Sequence, residues 1–107
     1  MAIDNPSLSI ERLSIEEFHL SPGNTRKHSE RQIAQIALSI KSFGFNVPIL
    51  IDSANVVRAG TGRVLAGKRL GLRELPAVRL AHLTDAQAKA FSIADNRLAE
   101  TSTWDEL

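Results

Sequence analysis

The segment from residue 56 to residue 70 constrains the fold of this chain more than any other part of it. The run Val56-Val57-Arg58-Ala59 is typical of a strand, and Gly60-Thr61-Gly62 interrupts it. A helix is predicted to follow over residues 63–70, with Gly71 ending it. A strand that turns through glycine into a helix is typical of domains in which helices pack on a sheet, so the segment predicts an α/β fold.

The same corner has the residues of an anion site. Two glycines let the backbone turn tightly and let a ligand approach closely, and the helix start offers free N–H groups with a partial positive charge. Thr61 adds a hydroxyl, and Arg63 adds a fork of donors that suits phosphate. The corner therefore predicts phosphate binding by Gly60, Thr61, Gly62 and Arg63. The alternative is that the glycines serve chain geometry alone, because a short Gly-x-Gly is neither a Walker A loop nor a full dinucleotide fingerprint.

The rest of the chain supplies the other elements of a mixed domain. Strands are predicted over residues 9–13, 47–51 and 75–80, and a turn over residues 21–24. A helix is predicted from its N-cap Ser29 to residue 43, with Gly44 as its end. Another opens at Thr84, where Gln87 has capping-box spacing, and Gln87, Phe91, Ala94 and Leu98 are predicted to share one of its faces. The order of elements indicates a mixed α/β domain with about three helices.

Composition limits the classes of function. The 107 residues suit a single domain, and a net charge of +1 does not suggest a strong binder of polyanions, so nucleic-acid affinity would rest on local clusters. The chain has no cysteine, which excludes disulfides, thiolate zinc sites and cysteine nucleophiles. The first residues lack the features of a signal peptide, and the apolar runs are short, so we expect a cytoplasmic protein without a membrane partner. Thr103 and Trp104 are typical of the start of a further helix, so we expect residues 1–107 to be one domain of a longer protein.

Three motifs follow one another along the chain. The first combines Ser21-Pro22, Asn24-Thr25-Arg26, a helix end over residues 36–44 and a Pro-Ile strand over residues 48–52. The second is the glycine corner with its helix and the strand that contains Pro76, and the third is Asp95-Asn96-Arg97. In this order they resemble the ParB/sulfiredoxin-like N-terminal domain over about residues 8–100. The resemblance implies a small α/β domain, of mixed α+β type, with a mixed sheet and about three helices.

The resemblance also implies a ligand. In this family the second motif binds nucleotide phosphates, those of CTP in some members and of ATP in sulfiredoxin. Carried over, Gly60, Thr61, Gly62 and Arg63 would surround the phosphates, and Arg26, with Lys27 beside it, would also contact phosphate. The alternative for Arg26 and Lys27 is that they are ordinary solvated charges. Partition proteins commonly have two arginines in this motif where this chain has one, which weakens the expected grip on CTP. Sulfiredoxin needs a cysteine here, so the resemblance does not extend to its repair chemistry.

The third motif implies a metal ion. In partition proteins it helps to hold magnesium beside the nucleotide, and Asp95 and Asn96 would take that role here, because magnesium prefers hard oxygen ligands. The alternative is that the pair marks a helix bend or end, where such residues commonly fall. The local sequences of residues 24–29, 43–52 and 94–100 resemble those of ParB-like domains found with phage-type DNA methyltransferases and regulators more than those of chromosome-partition proteins.

The residues and the resemblance leave three candidate functions open. The first is a nucleotide-binding module that reaches DNA through the full-length protein, which serves partition, transcriptional regulation or DNA methylation, with a homodimer left open. The second is catalysis, as a ParB-like nuclease or a nucleotide hydrolase or kinase. It ranks lower because the carboxylates Asp52, Asp85, Asp95 and Glu100 are scattered along the chain. The third is a protein-interaction domain whose turn binds no ligand.

Overall fold

The computed structural model describes residues 5–101. Within this range the strands are β1 (Ile10–Ser14), β2 (Ile49–Ile51), β3 (Val57–Ala59) and β4 (Glu74–Arg79). The helices are α1 (Pro22–Arg26), α2 (Glu30–Phe43), α3 (Thr61–Arg69) and α4 (Asp85–Thr101), with a turn of 3-10 helix at Ile15–Glu17. The further helix predicted at Thr103 lies outside the described residues. None of the helices within residues 5–101 has the length and apolar character that a membrane crossing requires.

The strands form one mixed sheet, as predicted. Their order is β1-β4-β2-β3, with β4 antiparallel to β1 and parallel to β2, and β2 antiparallel to β3. Val78 in β4 pairs with Ile10 in β1 and with Leu50 in β2, so β4 is a central strand. The parallel step from β2 to β4 requires a crossover, and β3 and α3 provide it.

The core fixes α3 from two sides. On the sheet side, the fully buried side chains come from alternate strand positions and from the middle of α3, namely Ile49, Ile51, Val57, Val64, Leu75 and Ala77. On the other side, Ala66 of α3 packs with Ile33 and Ala37 of α2. Because α3 is held by both clusters, the position of its first turn, residues 60–63, is set by the whole core.

Both predicted helix caps are confirmed. The Ser29 hydroxyl accepts a hydrogen bond from the backbone N–H of Gln32 (3.1 Å), and α2 ends at Gly44. At the start of α4, Thr84 Oγ1 accepts from the Gln87 N–H (3.2 Å) while Gln87 Oε1 accepts from the Thr84 N–H (2.9 Å). This reciprocal pair is the capping box that the sequence predicts.

Residues 5–101 contain four α-helices, where the sequence predicts about three. Residues 21–24, predicted as a turn, open the short helix α1. The Ser21 hydroxyl caps it by accepting from the Asn24 N–H (3.4 Å), and Pro22 occupies the first turn. Proline suits this position because its fixed φ is already helical and its missing N–H is not needed there. Helix α3 also begins earlier than predicted, at Thr61, so the corner contains a single residue, Gly60.

The face of α4 that packs on the sheet is not the one that carries Gln87, Phe91, Ala94 and Leu98. Ala88 and Ser92 are buried, whereas Gln87 and Ala94 are exposed and Leu98 is 69% exposed. Ser92 turns inward because its hydroxyl donates to the backbone carbonyl of Arg58 in β3 (2.9 Å). Hydropathy does not identify this face, because a hydrogen bond and a small residue, not the larger apolar side chains, set the contact of α4 with the sheet.

A buried carboxylate organises the β2–β3 hairpin. Asp52 Oδ1 accepts from the backbone N–H groups of Ala54 and Val56 (both 2.9 Å), and Oδ2 accepts from Nε (3.0 Å) and Nη2 (2.8 Å) of Arg58. Burial by itself raises the pKa of Asp52, but the hydrogen bonds from Val56, Arg58 and Ala54 outweigh it and hold the pKa below its ordinary value of 3.8. Asp52 therefore stabilises the hairpin in its ionised form.

We predict that Asp52→Ala lowers the free energy of unfolding by about 3 kcal/mol at pH 7, because it strands two backbone donors and a largely buried guanidinium. Since the folded pKa is lowered, the contribution of Asp52 is complete above pH 3.8 and is lost as the pH falls through the folded pKa. Urea unfolding followed by circular dichroism should therefore show a difference in the free energy of unfolding between parent and variant. This difference should become smaller as the pH falls below 3.8.

The control is Glu74→Ala, which removes the exposed ion pair with Arg12. It should change stability by no more than about 0.5 kcal/mol. Equal stabilities for the Asp52 and Glu74 variants would contradict the role of Asp52.

Candidate functional site

A cleft lies where β3 meets α3. It has a volume of about 260 Å³ and is bordered by α1, α2, β3, α3 and α4. Its lining consists of Asn24, Lys27, His28, Gln32, Ile36, Arg58, Ala59, Gly60, Thr61, Gly62, Arg63 and Asn96. Every residue of the predicted phosphate corner is among them. No carboxylate of the described residues lines the cleft, so its fixed charges are positive.

Gly60 makes the corner possible. Its φ of +107° lies in the left-handed region that favours glycine, and a Cβ there would come within 2.8 Å of Ile49 Cδ1. The first return bond of α3 runs from the Val64 N–H to the Gly60 carbonyl (3.0 Å). The N–H groups of Thr61, Gly62 and Arg63 precede that bond and have no helical acceptor, which leaves them available to an anion.

Gly62 lets α3 approach α2 closely. A Cβ at Gly62 would lie 2.9 Å from Ile36 Cδ1 and 3.1 Å from the His28 ring, so a larger residue here would require these two side chains to move. The His28 ring is held in turn by a 2.9 Å hydrogen bond between its Nδ1 and Gln32 Oε1.

Arg63 faces the interior more than the motif suggests. Its Nη2 donates to the carbonyl of Pro48 (3.2 Å), and its buried Nε has no partner among the described residues. Burial lowers the pKa of Arg63, and the negative charge of Asp95 opposes that effect. Arg63 borders the cleft, but it would have to leave Pro48 to bond a ligand with its full fork, so its phosphate role stays a prediction.

Arg58 is the cation of this site that the sequence analysis missed. It lines the cleft from β3, and its side chain, only 17% exposed, is held by Asp52. The available signal was Asp52 six residues earlier across a tight hairpin, which places a carboxylate beside an arginine on the strand that enters the glycine turn. Arg58 does lie in strand β3, and the apolar neighbours that flank it give no sign that its side chain lines a cleft.

Of the two neighbouring basic residues in the first motif, Lys27 lines the cleft, while Arg26 is exposed and is not part of that lining. From the third motif, Asn96 lines the cleft, whereas Asp95 does not and is half-buried near Arg63. Within residues 5–101 no three histidine or acidic side chains are grouped to hold a metal by themselves. The amide of Asn96, with Asp95 next to it, fits magnesium only if phosphates supply most of its oxygen ligands.

Comparison with known proteins agrees with the three motifs. The family model of the ParB N-terminal domain matches residues 2–97. The ParB-like nuclease domain-containing protein YnaK of Escherichia coli (strain K12) is 40% identical over 80 residues, which cover 75% of this chain and 92% of YnaK.

Two solved structures share the fold. The C-terminally truncated chromosome-partitioning protein ParB of Caulobacter crescentus, solved with CTP-γ-S, has a TM-score of 0.69 and 24% identity over 82% of this chain and 52% of its own. The chain thus spans about half the length of that ParB. Sulfiredoxin of Arabidopsis thaliana has a TM-score of 0.60 and 23% identity over 66% of this chain and 83% of its own. The predicted fold is confirmed, and the extent of the family match establishes that the chain belongs to the ParB N-terminal domain family.

Proposed function

We propose that this domain binds the phosphates of a nucleoside triphosphate, CTP or ATP, at residues 60–63. The observation that carries the proposal is a cleft in which free N–H groups of a helix start, Arg58 and Lys27 converge, with no carboxylate of the described residues in the lining. The Caulobacter ParB, which shares the fold, was solved with CTP-γ-S, and that supports a nucleotide as the ligand.

Each residue of the corner has a distinct part in this proposal. The N–H groups of Thr61 and Gly62 donate to a phosphate at the helix start, and the Thr61 hydroxyl can add a further bond. Arg63 rotates from the Pro48 carbonyl to the phosphate, which also gives its Nε an acceptor. Arg26 remains a candidate for the edge of the site, from its exposed position beside Lys27.

Asn96 and Asp95 would hold magnesium beside the phosphates. When bound, the ion would neutralise phosphate charge at the α4 side of the cleft. The negative charge of Asp95 also acts on Arg63. Asp95 would therefore offset part of the positive charge of both Arg63 and the magnesium ion.

The domain would serve as the nucleotide-responsive part of a larger cytoplasmic protein that binds or modifies DNA, in partition, transcriptional regulation or DNA methylation. DNA would be reached through the full-length protein, and a homodimer is compatible with this arrangement. Catalysis is the second candidate, because YnaK is described as containing a ParB-like nuclease domain. It ranks second because the cleft offers no lining carboxylate among the described residues to hold metal ions or act as a base.

We predict that CTP or ATP binds the parent protein in magnesium and that Arg63→Ala weakens binding by about 1.5–3 kcal/mol, roughly ten- to hundredfold in Kd. Isothermal titration with CTP, ATP and GTP measures the effect and the base preference. Arg63→Lys keeps the charge without the fork and should fall between the two. Arg73→Ala removes an exposed cation that does not border the cleft and serves as the control. Equal affinities for the Arg63 and Arg73 alanine variants would refute the assignment of Arg63.

A second prediction concerns the metal. Asp95→Ala should weaken nucleotide binding in magnesium and have little effect in a chelating buffer, and Asn96→Ala should behave in the same way. The measurement is the ratio of the two dissociation constants for each variant. A loss of equal size with and without magnesium would mean that Asp95 supports Arg63 or the helix and does not hold the ion.

A further inference from the structure

The mixed sheet has two edges, and the described residues cover one of them. At β3, the His19 N–H donates to the Asn55 carbonyl and the Val57 N–H donates to the His19 carbonyl (both 2.9 Å), so residue 19 continues the sheet beyond that strand. Helix α4 also contacts β3 through Ser92. At the other edge, β1 pairs with β4 on one side only. Within residues 5–101, β1 is therefore the open edge of the sheet.

The pairing with β4 shows which backbone groups of β1 point away from the sheet. Directly after β1, the Ile15 N–H donates to the Arg73 carbonyl (2.9 Å), and in an antiparallel pair every second residue repeats such a bond. The residues between them turn their N–H and carbonyl groups outward; in β1 these are Ile10, Arg12 and Ser14. Pro76, which lies opposite Arg12, agrees with this alternation because it has no N–H to donate towards β1. No described residue outside the sheet bonds to the outward groups.

The side chains at this edge leave apolar surface in water. Ile10 is 66% exposed, and Leu8, which precedes β1, is 51% exposed. Residues two positions apart share a face of an extended chain, so Leu8 and Ile10 form an apolar strip along the open edge. Both charged side chains of β1 already have a partner in the same chain, namely Arg79 for Glu11 and Glu74 for Arg12. A strand added to β1 would cover the strip without burying an unpaired charge.

The strand is complementary to itself in one register. When two copies of a strand pair antiparallel about a twofold axis, one residue lies opposite its own copy. A centre at Glu11 or Arg12 would place like charges directly opposite, which is destabilising. A centre beyond Arg12 would pair β1 with the 3-10 turn at Ile15–Glu17, and a centre before Ile10 would use mainly residues that precede the strand. A centre at Ile10 pairs this isoleucine with its own copy and sets Leu8 opposite Arg12 of the second copy, whose aliphatic stem can cover it.

We propose that two copies of this domain pair through β1, antiparallel and centred on Ile10, so that two four-stranded sheets become one continuous sheet. The outward backbone groups of Ile10 and Arg12 bond to Ile10 and Leu8 of the second copy. The apolar strips of both copies leave water together, which adds a hydrophobic contribution to the backbone bonds. The glycine corner lies at β3, the opposite edge, so both clefts stay open. The inference gives the homodimer considered above an interface, and it does not depend on the phosphate site.

Sedimentation velocity of the full chain, without nucleotide or magnesium, tests whether the dimer forms. We expect the parent to shift from monomer to dimer as its concentration rises. Ile10→Lys places two like charges opposite each other at the centre and should raise the Kd of the dimer at least about tenfold. Phe43→Lys is the matched control, since it puts the same charge on a 77% exposed apolar residue of α2 and should dimerise like the parent. Circular dichroism establishes that both variants fold.

The register is tested by cross-linking, because the chain has no cysteine of its own. Ile10→Cys places two thiols on directly opposite residues, whose Cα atoms lie about 5.5 Å apart in a bonded pair. Arg12→Cys places its two thiols four residues apart along the paired strands, about 14 Å. A short bis-maleimide should therefore link Ile10→Cys efficiently and leave Arg12→Cys, and the control Phe43→Cys, at the background level.

Several results would overturn the proposal. A parent that is monomeric at its highest soluble concentration, or that dimerises only when nucleotide is added, does not pair through β1 as proposed. A dimer that Ile10→Lys leaves intact uses another surface, and stronger cross-linking at residue 12 than at residue 10 excludes the register. Because these measurements contain no nucleotide, their failure leaves the phosphate site standing. A failed nucleotide titration, in turn, leaves the pairing of β1 standing.

Discussion

The ion pair between Asp52 and Arg58 is the interaction on which the site depends. One carboxylate closes the β2–β3 hairpin through two backbone N–H groups and fixes the arginine that lines the cleft. The same arginine offers its backbone carbonyl to Ser92, which positions α4. A buried pair of this kind adds little net stability compared with apolar packing. Its value here is orientation, because it ties the hairpin, the fourth helix and the cation of the cleft to one point.

The parts of the fold that the sequence predicts are those governed by local chemistry. Ser29 and Thr84 cap helices through bonds to residues three positions away, and Gly60 turns the chain by its own φ, so each can be identified from neighbouring residues. The face of α4 that packs on the sheet could not be predicted in this way, because it depends on a contact between Ser92 and Arg58, 34 residues apart. Hydrophobic periodicity carries no information about such a bond.

The candidate site divides in the same way. The motif at residues 60–63 locates the corner, because two glycines and a helix start determine its geometry. It does not reveal Arg58, because the role of that side chain depends on a hairpin that brings Asp52 beside it. Nor does it reveal that Lys27 rather than its neighbour Arg26 lines the cleft, since the direction of a side chain on α1 follows from how that short helix packs on α3. The sequence motif therefore predicts the backbone of the site, whereas tertiary contacts determine which cations line it.

Arg63 borders the candidate site at a cost to the stability of the fold. A guanidinium whose Nε is buried without a partner loses hydration that the bond to Pro48 only partly replaces. The charge of Asp95 limits that loss but does not remove it, since burial still lowers the pKa of Arg63. An anion in the cleft would offer the acceptors that the folded chain does not provide. The free energy gained when Arg63 finds hydrogen-bond acceptors would then add to the free energy of binding. Although the net charge of the chain is only +1, the domain could still attract an anion, because its cations converge on one cleft.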